Sequence, residues 1–360
     1  MGVARYKRKT FPTWHESDVT NPNYASEYKK CLGNLPVGDQ TNTVGNFGSI
    51  SYINRFTGGV VAPNGKIYLA PEAYNAIGIF DPSDDSYSEV LHGVSAANDE
   101  WLGGCLAPNG CIYFAPSSAS VILKIDPSDN SITTFGGYTA GASFWIGSVI
   151  TSDGIMYCVP YNSTKILRID TNTDTVTEFG SFAGSAKWGG GCLGFNGCIY
   201  FTPLDSVSVL KIDPSDNDST TLFGNTAGTT KYFGANISKD GIIYLTPAVA
   251  TNVGRIDTNN DTVLSPLTTN VVAGQRGSVM GPNGKIYTAN TSGTIFLEID
   301  PETDTVTQLN NTYSGYYGIN VAFNGKLYMV PRTTTSFCSV LTEISSLDKD
   351  FTLSRYNNKF

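Results

Sequence analysis

Proton transfer near neutral pH draws on histidine, cysteine and carboxylate side chains held close together. This chain spreads them thinly. Its 360 residues include two histidines, His15 and His92. No Ser–His–Asp or His–Cys arrangement can be assembled from recurring positions, and no glycine-rich phosphate loop occurs. The seven cysteines are Cys31, Cys105, Cys111, Cys158, Cys192, Cys198 and Cys338. Cys105 and Cys111 return as Cys192 and Cys198 at the same spacing, facing each other across a hairpin. They read as buried thiols, with a cross-strand disulfide as the alternative, and they lack the CxxC spacing of a zinc site. The segments Asp170–Asp174 and Asp257–Asp261 loosely echo calcium loops. They lack the sixth-position glycine and the distal glutamate of a helix–loop–helix site. An aspartate that opens a turn by accepting from the backbone two residues on is the simpler account of them. The expectation is no catalytic residue, no metal and no cofactor.

Binding chemistry has a stronger candidate. Phe56, Trp101, Trp145, Trp188, Tyr232, Gln275 and Tyr316 each stand two residues before a recurring glycine. Six of these seven are aromatic. Arg55, Asp99, Glu100, Lys187, Lys231 and Arg276 lie beside them. Such rings either wedge between packed sheets or form an exposed crown that stacks on sugars and grips a partner's side chains. Both readings stand at this point, and the crown is the candidate binding site.

The elements that position these residues follow from a repeat. Gly-x-(Ile/Leu/Met)-Tyr occurs at Gly65, Gly110, Gly154, Gly197, Gly241, Gly284 and Gly325, every 41 to 45 residues. Each period holds four strand-like stretches. The first is small and apolar, as in Gly103–Ala107, and ends in Pro-Asn-Gly, Asn-Gly or Asp-Gly, which supply the positive φ of a tight hairpin. The second, Cys111–Ala115 and its copies, stops at Pro71, Pro116, Pro160, Pro203, Pro247 and Pro331, with Asn290 in the remaining copy; proline has no N–H for the ladder. The third leads into a turn at Asp81, Asp126, Asp170, Asp213, Asp257 and Asp300, degenerating to Ser345. The fourth resembles Ser131–Phe135. Seven units of four antiparallel strands predict an all-β, seven-bladed β-propeller over residues 58–360. Strand-like Ser49–Ile53 is expected to complete a blade as a latch, and Phe351–Arg355 to close the last copy. The first strands carry Gly58, Gly103, Gly147, Gly190, Gly234, Gly277 and Gly318, and from these glycines onward the strands hold no charged residue. Strands converging on one axis need small side chains, and such a wall offers no titratable group.

Residues 1–57 form an irregular N-terminal arm, polar and interrupted by Pro12, Pro22 and Pro36, with Phe11, Trp14 and Tyr24 as docking anchors. Its start lacks the apolar stretch of a secretory signal, so the chain is expected to be made in a cytoplasm. Net charge is −8 and charged residues make up 15%. No basic face suggests nucleic acid, and no apolar run is long enough to insert in a membrane.

The phrase Asn-Gly-Cys-Ile-Tyr-Phe-Ala-Pro followed by Leu-Lys-Ile-Asp-Pro-Ser-Asp-Asn-Ser-Ile-Thr-Thr-Phe-Gly, within 109–136, resembles the repeat of streptogramin-lyase-like propellers. The resemblance runs over about residues 58–355 and implies seven blades. That family uses histidine and glutamate residues with a magnesium ion at the channel mouth, whereas no repeat position here supplies a histidine. Low charge, Gly/Asn/Thr richness and a polar arm are also similar in style to propellers of phage and large-virus particles. The resulting expectation is a non-enzymatic structural or binding protein of a virus particle. Its arm would meet other structural proteins, and its propeller face a glycan or host receptor. The rivals are a lyase- or lactonase-like enzyme and a stand-alone carbohydrate-binding propeller.

Overall fold

A computed structural model describes residues 43–47, 50–51, 53–94, 101–137, 143–226, 228–310 and 314–341. Twenty-eight strands form seven antiparallel sheets of four. The innermost strands are Phe56–Val61, Trp101–Leu106, Trp145–Ile150, Trp188–Leu193, Tyr232–Ile237, Gln275–Met280 and Tyr316–Val321. Each lies against the next around the axis, and the seventh lies against the first, so the ring is closed. Burial follows radius. Innermost strands such as Phe56–Val61 are wholly buried, whereas outer strands such as Ser131–Phe135 alternate between exposed and half-buried. The apolar clusters lie between blades rather than within them; one joins Cys105 and Ile122 of blade two to Trp145 and Leu167 of blade three.

Closure is made by a latch. The outermost strand of the seventh blade is Thr43–Phe47, antiparallel to Phe337–Leu341, with Thr43 opposite Leu341 and Phe47 opposite Phe337. The latch therefore comes from the N-terminal segment as anticipated, but it lies upstream of Ser49–Ile53, whose described residues are not strand. Blade one begins at Phe56, so part of segment 1–57 is built into the ring. Phe351–Arg355, like Phe11, Trp14 and Tyr24, lies outside the described residues.

The turn motifs do more than reverse the chain. The first aspartate of each third-to-fourth-strand turn accepts from the backbone two residues on, as Asp170 does from Asn172 (3.0 Å) and Asp257 from Asn259 (2.8 Å). That is the turn-opening role, and it accounts for the calcium-like spelling. The last residue of the turn is left-handed: Asp174 has φ 54° and Asp261 φ 52°. The preceding blade grips it there. Tyr113 Oη donates to Asp174 Oδ1 at 2.7 Å and Lys124 Nζ to Asp174 Oδ2 at 2.7 Å. Tyr200 and Lys211 hold Asp261 in the same way, both at 2.6 Å. Tyr157 with Arg168 holds Asp218, and Tyr244 with Arg255 holds Asp304. The asparagine of Asn-Gly adds a bond to the next blade's turn, as from Asn109 Nδ2 to the Thr171 carbonyl (2.7 Å). Between blades seven and one, Asn324 reaches the Pro82 carbonyl at 3.1 Å and Phe80 stacks on Phe337. The repeat's tyrosine thus serves as an interblade clasp.

Two outcomes follow. A chain beginning at residue 41 keeps the latch and melts like the full chain, whereas one beginning at residue 49 exposes the edge Phe337–Leu341 and melts earlier and less cooperatively. Equal thermal unfolding of the two would overturn the latch. For the clasp, Tyr113→Phe removes one hydrogen bond and about 1 kcal/mol, read by urea denaturation. Burial, and then the Asp174 carboxylate, push the Tyr113 phenol from 10.0 up to about 12. A folded-state pKa raised in this way stabilises fully below the unfolded value and is lost as pH climbs through the folded one. Stability should decline between pH 10 and 12, and Tyr113→Phe should soften that decline.

Candidate functional site

Six of the aromatic-crown residues and Gln275 open the innermost strands, and all seven are buried. Their exposures run from 0% for Phe56, Trp101, Gln275 and Tyr316 to 5% for Tyr232. An exposed crown is therefore not formed; these side chains take the packing alternative. Each stands opposite the residue closing its blade's second strand, as Trp145 does Pro160. The side chain lies along its own blade and bonds the entrance to the third strand. Trp101, Trp145 and Trp188 Nε1 donate to the carbonyls of Val121, Lys165 and Ser208 at 2.8–3.0 Å. Gln275 Nε2 donates to the Ile295 carbonyl at 3.0 Å. Gly78 exists because of this packing: a Cβ there would sit 2.7 Å from the Phe56 ring. In every blade the strand register shifts just after this residue, and six of the seven following glycines take positive φ, from 66° at Gly147 to 144° at Gly58. Glycine is what permits the bulge.

The cations beside this position are likewise committed. Arg55 lies 3.9 Å over the Tyr74 ring and 2.6 Å from Glu89. Lys187 is buried and donates to the carbonyls of Tyr161 (3.0 Å) and Gly184 (2.8 Å); burial pushes its ammonium down to about 8. Lys231 repeats the arrangement with Ser206 and Gly228. His92 is packed edge-on to Trp101, its Nε2 2.8 Å from the Tyr74 carbonyl, and burial lowers its pKa. The six described cysteines are buried free thiols. Asp99 and Glu100 lie outside the described residues.

What faces the open end of the ring is the next residue along each first strand. Leu102, Ile146, Phe233, Arg276 and Tyr317 line a cavity of about 130 Å³, together with Thr57, Ser143, Tyr161 and Arg332. Its two sides differ. Across blades two to five, Ile146 and Phe233 pack with Leu204 and Ala248 into an apolar cluster, with Leu102 and Tyr161 against it. Across blades five to seven, rings and guanidinium groups alternate. Arg276 lies 4.4 Å over Phe233 and 4.9 Å over Tyr317, and Arg332 lies 4.0 Å over Tyr317. Arg332 also holds buried Glu72 of blade one with two bonds, Nε to Oε2 at 2.5 Å and Nη2 to Oε1. That ion pair spans the ring's closure. Arg276 has no carboxylate partner among the described residues, so its guanidinium edge is open for bidentate recognition. Sequence reading noted Arg276 only as a neighbour of the crown. The overlooked signal is variability: inside a strict repeat, the position one after the aromatic runs Thr57, Leu102, Ile146, Gly189, Phe233, Arg276, Tyr317.

The molecule is a seven-bladed β-propeller, and its described residues include a lined mouth. Residues 87–224, less than half of the chain, match a family described as a repeat of unknown function, DUF6923. No curated protein sequence matches. Among solved structures the chain is similar to virginiamycin B lyase from Staphylococcus aureus, with TM-score 0.72 and 14% identity over 84% of this chain and 100% of that one. A streptogramin B lyase gives TM-score 0.71 and 16% identity over 83% and 97%. The WD40 repeats of RRP9 give 0.62 and 11% over 85% and 98%. At such identities the likeness is one of fold, and enzymes and non-enzymes share it. Among the described residues this mouth offers no ligand set for the magnesium ion of lyase-like propellers. The charged side chains lining the cavity are both arginines, the adjoining Glu72 is held by Arg332, and no three His, Cys, Asp or Glu side chains converge among the described residues.

Trp145→Ala should cost about 3–5 kcal/mol, as for a large buried ring, whereas Arg276→Met should cost under about 1 kcal/mol, the scale of a surface cation–π contact. Denaturant midpoints check this; comparable losses would return the first-strand aromatics and the mouth residues to one structural class.

Proposed function

We propose that this propeller is a non-enzymatic binding protein that holds a partner or ligand at the arginine-bearing mouth. The observation supporting this is the lining itself. Arginine stays protonated throughout the physiological range and cannot exchange protons as a general acid or base, and Glu72 is occupied by Arg332. Such a mouth is suited to recognising charge and shape, and no histidine or free carboxylate lines it among the described residues.

Within the same reading, the protein is a component of a virus particle, attached through the segment before the latch. Thr43 sits on the outermost strand of blade seven, so the described chain begins at the outer edge of the ring and away from the innermost strands. Low charge and a polar, Asn/Thr-rich composition favour this setting.

The rival enzyme reading gives the direct test. Incubation with quinupristin, the compound named with a catalytically inactive histidine-to-alanine variant of the staphylococcal lyase, should leave its chromatographic retention and fragmentation pattern unchanged, with and without magnesium. Any enzyme-dependent product would displace the binding reading.

A further inference from the structure

We infer that the mouth binds a small carboxylic acid with a compact apolar or aromatic body, and that Arg276 is the group that holds the carboxylate. The inference rests on the proposed binding role and gives that role its chemistry. The cavity, about 130 Å³, is close to the roughly 150 Å³ that accommodates a benzene ring in an apolar protein cavity. One side of it is apolar through Leu102, Ile146 and Phe233. The other presents Arg276, its Cζ 4.4 Å from the centre of the Phe233 ring and 4.9 Å from that of Tyr317. Contact with two rings confines the guanidinium, and its N–H groups suit a planar, two-oxygen acceptor. A carboxylate matches them; a phosphate dianion needs more donors than one open arginine beside an apolar wall supplies. Arg332, bound to Glu72, adds the stacked partner of Tyr317 and is not the anchor. The described lining residues include no carboxylate to repel an anion, although the chain as a whole carries −8.

The test is calorimetric titration of the full chain with phenylacetate, phenylacetamide, N-acetylphenylalanine and inorganic phosphate. Phenylacetate should bind and phenylacetamide should bind at least about tenfold more weakly, the factor expected for losing a charge-assisted hydrogen bond. Phosphate should not compete. Arg276→Met should lose phenylacetate binding by a similar factor while melting like the parent, and Arg276→Lys should recover only part of it. If N-acetylphenylalanine binds more tightly than phenylacetate, the same chemistry is delivered by a peptide terminus. Equal binding of acid and amide, or no binding of either acid, overturns the inference; because the amide comparison uses the unaltered chain, it holds even if a variant misfolds. Recovery of chemically altered acid from the cell would instead overturn the binding reading and leave the ligand class standing.

Discussion

The ring depends on a repeated clasp: a tyrosine hydroxyl of one blade reaching a left-handed aspartate in the turn of the next, with a lysine or arginine on the same carboxylate. A four-stranded sheet of this size cannot bury both faces alone. The apolar clusters accordingly sit between sheets, and blade spacing decides whether they pack. The clasp fixes that spacing from blade two to blade six, where Asp174, Asp218, Asp261 and Asp304 are each gripped by the blade before, and between blades one and two Tyr68 meets Asn130 instead. Blade six departs from the pattern. Its Tyr287 bonds Glu298 of its own sheet. At the seam, the latch strand, Phe80 on Phe337 and the Arg332–Glu72 pair take over.

Much of this was legible in the sequence because turn chemistry is local. Asn-Gly and Asp-Gly set the hairpins, proline ended the second strands, and the period gave the blade count. The aromatic position was legible as a position but not as a direction. Strand alternation places Trp145 and Ile146 on opposite sides, yet which side faces the axis depends on the bulge after the strand's first residues, a tertiary feature. The latch escaped for another reason. Strand Thr43–Phe47, with sequence TVGNF, pairs with residues some three hundred positions away, and no local signal sets it above Ser49–Ile53. The clasp is written in the sequence only as a near-constant separation of about 61 residues between tyrosine and turn aspartate, which has no meaning until the blades are placed side by side.

Two departures from the consensus occur together in one copy. Gln275 replaces the aromatic and Asn290 replaces the proline, and the two are paired across one hairpin. Gln275 Oε1 accepts from Thr288 at 2.6 Å, and Asn290 Oδ1 accepts from the backbone of Ser292 and Gly293. Polar satisfaction therefore substitutes for ring packing in the blade that also carries Arg276. Structural regularity is relaxed beside the candidate anchor and retained in blades two to five, where the wall is apolar.

A rotor of seven equivalent blades would meet an axial guest in seven indistinguishable orientations. Here the cation–ring ladder occupies one sector, Phe233 through Arg332, so the rotational degeneracy of the scaffold is broken at its mouth. A guest with one polar end has a single azimuth in which that end meets Arg276. The near-symmetric body can then be read as a mounting, and the asymmetric rim as the pointer on its dial.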